Sequence, residues 1–274
     1  MDGSFLKRTA STCALIAIVI GTIYRAPLWW YVAVVVGFTV AGLHEFFGLM
    51  DRKQWAPLRL WGYLWGGALP VVTAAWLRAA PVEQGWFEPT LVLGACVIPL
   101  AAQLTRPTNH EAFGAVAGTS FALWYVAWVM SLLVRLRWLP GGAGLVAWLI
   151  LITKAGDIGA YLIGTRVGRH PLLPRVSPKK TVEGLIGGLA FSVAAAVVAG
   201  PLVPAVPGVH LWALGLGLGV LAQVGDLGES IIKRDCQAKD SGDAIPGVGG
   251  TLDVLDSLLF TLPVFYLYVV GVLT

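Results

Sequence analysis

The chain has 274 residues, 57% of them hydrophobic and only 12% charged, with a mean hydropathy of +0.77. No soluble domain of this length needs so apolar a composition, and long apolar runs recur throughout, so the sequence reads as a polytopic membrane protein. The formal charge of +4 is spread over short loops rather than gathered on one patch, which argues against nucleic acid and points to topology signals and phosphate or headgroup contacts.

Taken in order, the apolar runs predict about nine membrane helices, over 10–25, 28–50, 58–78, 89–105, 112–134, 142–165, 184–203, 208–233 and 252–273. The first two are almost continuous through Arg25-Ala26-Pro27, so eight is the alternative count. Lys7 and Arg8 before an apolar run imitate a signal peptide, but no small-residue cleavage site follows and a first membrane helix is expected. With the N-terminus inside, fourteen Lys and Arg residues fall in cytoplasmic segments and four (Arg25, Arg78, Arg135, Arg137) on the opposite side. That bias puts the 166–183 and 234–250 loops on one cytoplasmic face. The expected fold is an all-α integral membrane bundle, with 1–140 as N-terminal helices and 141–274 as catalytic helices with cytoplasmic loops. Cys13, Cys96 and Cys236 are odd in number and far apart, so neither a disulfide nor zinc is expected.

The first half carries few polar groups. His44-Glu45, at the end of the second run, reads as an interfacial pair near the headgroups rather than part of a site. Polar chemistry begins on the sixth run, where Lys154, Asp157 and Tyr161 share a face at i, i+3 and i+7, either as a self-neutralised pair or as part of a site. Arg166, Arg169, His170 and Arg175 follow, then Ser177-Pro-Lys-Lys-Thr-Val-Glu-Gly184. Ser177 and Thr181 are candidate helix caps, and basic residues before a helix N-terminus suit an anion.

The last fifty residues hold the densest chemistry. Asp226, Glu229 and Lys233 fall on one helical face and Asp253 and Asp256 on the next, with a polar loop from Asp235 to Gly250 between them. Carboxylates in a bilayer are costly and face a cavity, an ion or a partner. The pattern therefore reads as a metal-dependent site for a phosphorylated substrate. Gly215-x-Gly217-x-Gly219 imitates a dinucleotide loop, but it lies in an apolar helix with no preceding strand, and close helix packing explains it better. Ser230-Ile-Ile-Lys233 imitates a serine–lysine catalytic pair without the rest of that motif set.

Together these motifs resemble the phosphatidate cytidylyltransferase family, the membrane enzymes that make CDP-diacylglycerol. The likeness lies in Gly225-Asp-Leu-Gly-Glu-Ser230, Ser230-Ile-Ile-Lys233-Arg234, Lys239-Asp240, Pro246-Gly-Val-Gly-Gly250 and Leu252-Asp-Val-Leu-Asp-Ser257. It extends upstream to Asp157-x-x-Ala-Tyr161, Gly168-Arg-His170 and Ser177–Gly184, and so covers about residues 150–262. Two positions depart from the family signature: its histidine is Val248 and its arginine is Val254. The missing arginine removes a phosphate-binding fork. The missing histidine removes a candidate base, which a phosphate monoester, with a second pKa of about 6, scarcely needs.

The resemblance implies attack of a phosphatidate oxygen on the α-phosphorus of CTP with loss of pyrophosphate. It implies Mg²⁺, with room for a second cation, held by Asp226, Asp253 and Asp256, since hard oxygen donors suit that ion. Lys179, Lys180, Lys233 and Arg234 would neutralise phosphate, Ser177 and Thr181 would face it, and Glu229 and Ser230 would sit beside it. Lys239 and Asp240 would flank a mobile loop, Gly249 and Gly250 would let backbone approach the nucleotide, and Asp157 and Tyr161 would shape the wall. A homodimer in the cell membrane, with its site facing the cytoplasm and contacting CTP and bilayer lipids, is implied too. Two rivals remain open: a CTP-using enzyme with another lipid acceptor, or a degenerate paralogue of either. An ion-coupled transporter is more distant, because it predicts polar residues at mid-depth in both halves of the chain.

Overall fold

A computed structural model describes residues 17–79, 87–107, 110–245 and 249–273. Lys7, Arg8 and Cys13, and with them Pro246, Gly247 and Val248 of the glycine-rich turn, lie outside the described residues. The chain forms two compact units, one of Met1–Trp138 with Cys236–Val254, the other of Leu139–Asp235 with Leu255–Thr274.

Helices dominate both. Residues 17–24 are helical, and after Pro27 come α1 (Leu28–Arg52), α2 (Arg59–Ala79), α3 (Phe87–Gln103) and α4 (Ala112–Trp138), the last with a π-helical turn at Leu123–Trp128. In the first unit α1 supplies the core through Leu43, Phe46, Phe47, Leu49 and Met50. Gly62 and Gly66 of α2 lie directly against Phe47 and Leu43, so the absence of side chains there lets the two helices close. Tyr31 of α1 donates a 3.0 Å hydrogen bond to the Leu133 carbonyl of α4, which satisfies a buried hydroxyl.

The second unit begins with α5 (Gly142–Val167) and a short antiparallel hairpin, β1 (Pro171–Leu173) with β2 (Ser177–Thr181). Then come α6 (Val182–Val198), α7 (Gly208–Asp235) and α8 (Thr251–Leu273), whose first turn belongs to the first unit. Small residues again set the spacing. A Cβ on Gly188 of α6 would stand 3.0 Å from the Gly156 carbonyl of α5, and Trp148 Nε1 donates to the Ala196 carbonyl at 3.0 Å. Gly215 and Gly219 of α7 pack against Ser192, Val193 and Ala196 of α6, which is the close-packing role expected of them; Gly217 faces open space.

Among the described residues five helices are long and apolar enough to cross a membrane: α1, α4, α5, α7 and α8. Their outward surfaces carry large apolar side chains such as Trp30, Phe113, Ile158, Val209 and Leu267. The chain is accordingly a multi-pass, helical membrane protein. The hairpin departs from the all-helical expectation, and its strands occupy the stretch read from sequence as a basic loop.

Candidate active site

The acids and lysines of the second unit converge from four elements. Lys154 and Asp157 of α5 form a 2.9 Å ion pair. That pair is not self-contained: Asp157 also meets the Ser257 hydroxyl, 3.2 and 3.3 Å from its two carboxylate oxygens, and Lys154 feels the charges of Asp256 and Asp226. Asp226 of α7 is paired with Lys180 of β2, Nζ to Oδ2 2.6 Å. Asp256 of α8 is buried, and its Oδ1 accepts from the Ser257 amide and hydroxyl at 2.5 and 3.0 Å. Helices α7 and α8 touch backbone to side at this level, since a Cβ on Gly225 would stand 2.6 Å from the Asp256 carbonyl oxygen. A glycine before Asp226 is therefore what allows its carboxylate so near to the turn that carries Asp256.

Lys180 is the group with chemistry to spare. Its ammonium nitrogen is buried, and the contact with Asp226 is an ion pair too bent to count as a hydrogen bond; among the described residues no acceptor is aligned with its N–H bonds. A buried ammonium with three unaligned donors is a costly arrangement that an added phosphate oxygen would relieve.

The hairpin and the start of α6 are held locally. Thr181 is the cap, its Oγ1 accepting from the Gly184 amide at 3.1 Å, whereas Ser177 lies within β2 and caps nothing. Glu183, just before the apolar run of α6, accepts from the amides of Arg169 and His170 at 3.0 and 3.2 Å and pairs with His170 Nδ1 at 2.5 Å. The Arg169 amide first, then the His170 ring, push its carboxyl down to about 2. Lys179 is exposed, Lys180 turns inward, and Tyr161 is 66% exposed. On α7, Glu229 and Lys233 are both buried and paired at 3.1 Å, Ser230 is half-buried, and Arg234 donates from Nε to the Val176 carbonyl at 3.3 Å.

A second polar cluster lies in the first unit. Asp253 Oδ2 accepts from the Gly250 amide at 2.9 Å, the Ser241 amide at 3.1 Å and the Ser241 hydroxyl at 3.0 Å. Gly249 has φ +126°, a conformation that L side chains rarely adopt, and pairs with Ile245 in a two-residue bridge. Lys239 and Asp240 are exposed on the same segment. Beside it stands Glu45, which departs from the headgroup pair read from sequence. It is 6% exposed, and its oxygens accept from Thr251 N at 2.7 Å, Leu252 N at 2.8 Å and Ser241 Oγ at 2.8 Å. Its neighbour His44 turns away to the Tyr63 hydroxyl, 2.9 Å from Nδ1. Sequence reasoning missed Glu45, Ser241 and Ser257 as site neighbours. An acid inside an apolar run was the only signal for the first, and Ser257 stood next to a chosen aspartate.

Among the described residues no three His, Cys, Asp or Glu side chains converge as a ready metal cluster. The donors in the second unit are nonetheless carboxylate oxygens, the chemistry a hard divalent ion takes, and a lysine cation already sits on one of them.

Comparison with known proteins identifies the family. The model of the cytidylyltransferase family matches residues 6–272. A phosphatidate cytidylyltransferase of Brucella suis biovar 1 is 35% identical over 268 residues, covering 94% of this chain and 92% of that protein. One of Bacillus subtilis strain 168 is 32% identical over 199 residues, covering 70% and 74%. The uncharacterized protein YnbB of Escherichia coli K12 is 39% identical over 186 residues, 63% of this chain and 62% of that one. A match that runs nearly end to end takes in both the apolar first half and the acid-bearing helices, and so this chain belongs to the cytidylyltransferase family.

Proposed function

We propose that this protein transfers the cytidylyl group of CTP to phosphatidate, giving CDP-diacylglycerol and pyrophosphate. The observation that carries this reading is Lys180, a buried ammonium beside Asp226 with donors to spare for a phosphate. It stands in a family of CTP-using enzymes whose relatives over most of this chain are phosphatidate cytidylyltransferases.

In the reaction, a phosphatidate oxygen forms a new bond to the α-phosphorus of CTP while the bond to the β-phosphate oxygen breaks. Both the nucleophile and the leaving group are anions, so the protein's work is positioning and charge neutralisation. Lys180 and Lys179, with Lys233 and Arg234, supply positive charge to the phosphates, and Ser177 adds a hydroxyl donor. Asp226 and Asp256 are the proposed ligands of Mg²⁺, with Asp253 one helical turn before Asp256 on α8. Bound there, the ion would neutralise charge on the phosphate oxygens. Ser257, which touches both Asp157 and Asp256, fixes the rotamers of two acids at once. Nine spans, a site facing the cytoplasm of the cell membrane and a homodimer complete the proposal; the positive-inside bias supports the first two.

A different phospholipid acceptor is the second reading, favoured by Val248 and Val254 in place of the family histidine and arginine. Purified protein given CTP, Mg²⁺ and either phosphatidate or an archaeol phosphate decides between them. Labelled CDP-diacylglycerol with stoichiometric pyrophosphate is expected. Product only with the second lipid moves the acceptor, and no product with either lipid under any divalent metal marks a degenerate paralogue.

A further inference from the structure

Two carboxylates and one serine hydroxyl lock the start of the last helix. Ser241 Oγ lies 2.8 Å from Glu45 Oε2 and 3.0 Å from Asp253 Oδ2. A hydroxyl has one proton to give, so the two acids share that donor, and backbone amides serve both as well. Gly250 N goes to Asp253, and Thr251 N and Leu252 N go to the two oxygens of Glu45. Three successive amides at the opening of α8 are thus taken in order, the last two by a residue more than 200 positions away. The fit is close: a Cβ on Gly250 would overlap both Ser241 Oγ and Glu45 Oε2, and a Cβ on Gly242 would stand 2.8 Å from the Glu45 carboxyl carbon.

We propose that Glu45 is a positioning residue for nucleotide binding. By gripping Thr251, Leu252 and Ser241, it fixes the Gly249-Gly250 backbone and the Asp253 rotamer in the geometry that receives CTP. Glu45 itself touches no reacting atom. The inference rests on the cytidylyl-transfer reading above and deepens it, giving an acid of the apolar first half a part in substrate recognition.

The test uses the full-length purified protein and the variants Glu45→Gln and Ser241→Ala. Glutamine keeps the shape but has one acceptor oxygen for two amides, so Thr251 or Leu252 loses its partner. For Glu45→Gln a rise of tenfold or more in the KM for CTP is expected, with kcat within threefold of wild type. Ser241→Ala should move KM in the same direction by about threefold, and the double variant should fall short of the product of the two, as coupled neighbours do. Amide hydrogen exchange at 249–252 should quicken in both. A merely structural role would instead lower the thermal midpoint and the active fraction, hence kcat, and leave KM alone. That result overturns the proposal, as does a KM within twofold of wild type in both variants. If Glu45→Gln does not fold, Ser241→Ala decides by the same criteria. Equilibrium binding of CTP is measured alongside, so a wild type that binds CTP without turning it over would defeat the transfer reading while the affinities still judge Glu45.

Discussion

Glu45 and Asp253 in the first unit are met by backbone amides and a serine hydroxyl, whereas Asp157 and Asp226 in the second are met by Lys154 and Lys180. An amide donor is fixed by the chain path and cannot leave without unfolding the turn. A lysine ammonium rides on a four-carbon stem and can swing to a competing anion. The same residue type is therefore scaffold in one place and an exchangeable counter-charge in the other. Carboxylates whose partners can be displaced are where a phosphorylated ligand and its metal can enter.

Breaking the second cluster should cost activity before stability. Asp226→Ala is expected to lower the rate of CDP-diacylglycerol formation by about 10²–10³-fold, the scale of losing a preorganised electrostatic group. Thermal unfolding of the variant should stay close to wild type; retained turnover would refute the assignment. Lys180→Met comes next, with a loss of about 10- to 100-fold in kcat/KM for CTP, equivalent to roughly 1–3 kcal/mol, and Lys180→Arg should recover part of it.

Overpacking the first cluster should lower stability as well as weaken CTP binding. Gly250→Ala forces a methyl into Ser241 and Glu45, and overpacking of this kind costs about 1–3 kcal/mol, read as a lower thermal midpoint. Gly217→Ala, where nothing lies within 4 Å, is the control and should be neutral or slightly stabilising. Thr181→Ala, which deletes the cap of α6, should cost about 1 kcal/mol.

The smallest effect is a pH response of the hairpin. Glu183 is held at about 2 against an ordinary 4.5, so the protonated form is disfavoured in the folded hairpin. Its stabilisation is complete above the unfolded value and is lost as the pH falls from about 4.5 toward about 2. Limited proteolysis across 171–181 should be unchanged between pH 7 and pH 5 and faster only below that window. Faster cleavage already at pH 5 would reject the assignment.

Much of the second unit was legible because its chemistry is local. Lys154 and Asp157 pair at i, i+3, Glu229 and Lys233 at i, i+4, and Thr181 caps three residues ahead, all distances that helix geometry fixes. Apolar run length likewise placed the helices, because a bilayer leaves the backbone few alternatives. The hairpin was missed because β1 is only three residues long and carries no alternating pattern. The Lys180–Asp226 pair joins a strand to a distant helix, and nothing in either segment announces the other. Glu45 was misread for the same reason: its partners lie in another part of the chain, and an isolated acid near the end of an apolar run looks like any residue bound for the headgroups.

The long reach from Glu45 to Thr251 and Leu252 has a consequence for synthesis. At about 5–20 residues per second, the ribosome needs roughly 10–40 seconds after making α1 before those two amides exist. For that interval α1 sits in the bilayer with its acid unanswered. A nascent chain cut before residue 251 would hold the early helices but lack the clasp, a defined target for quality-control proteases.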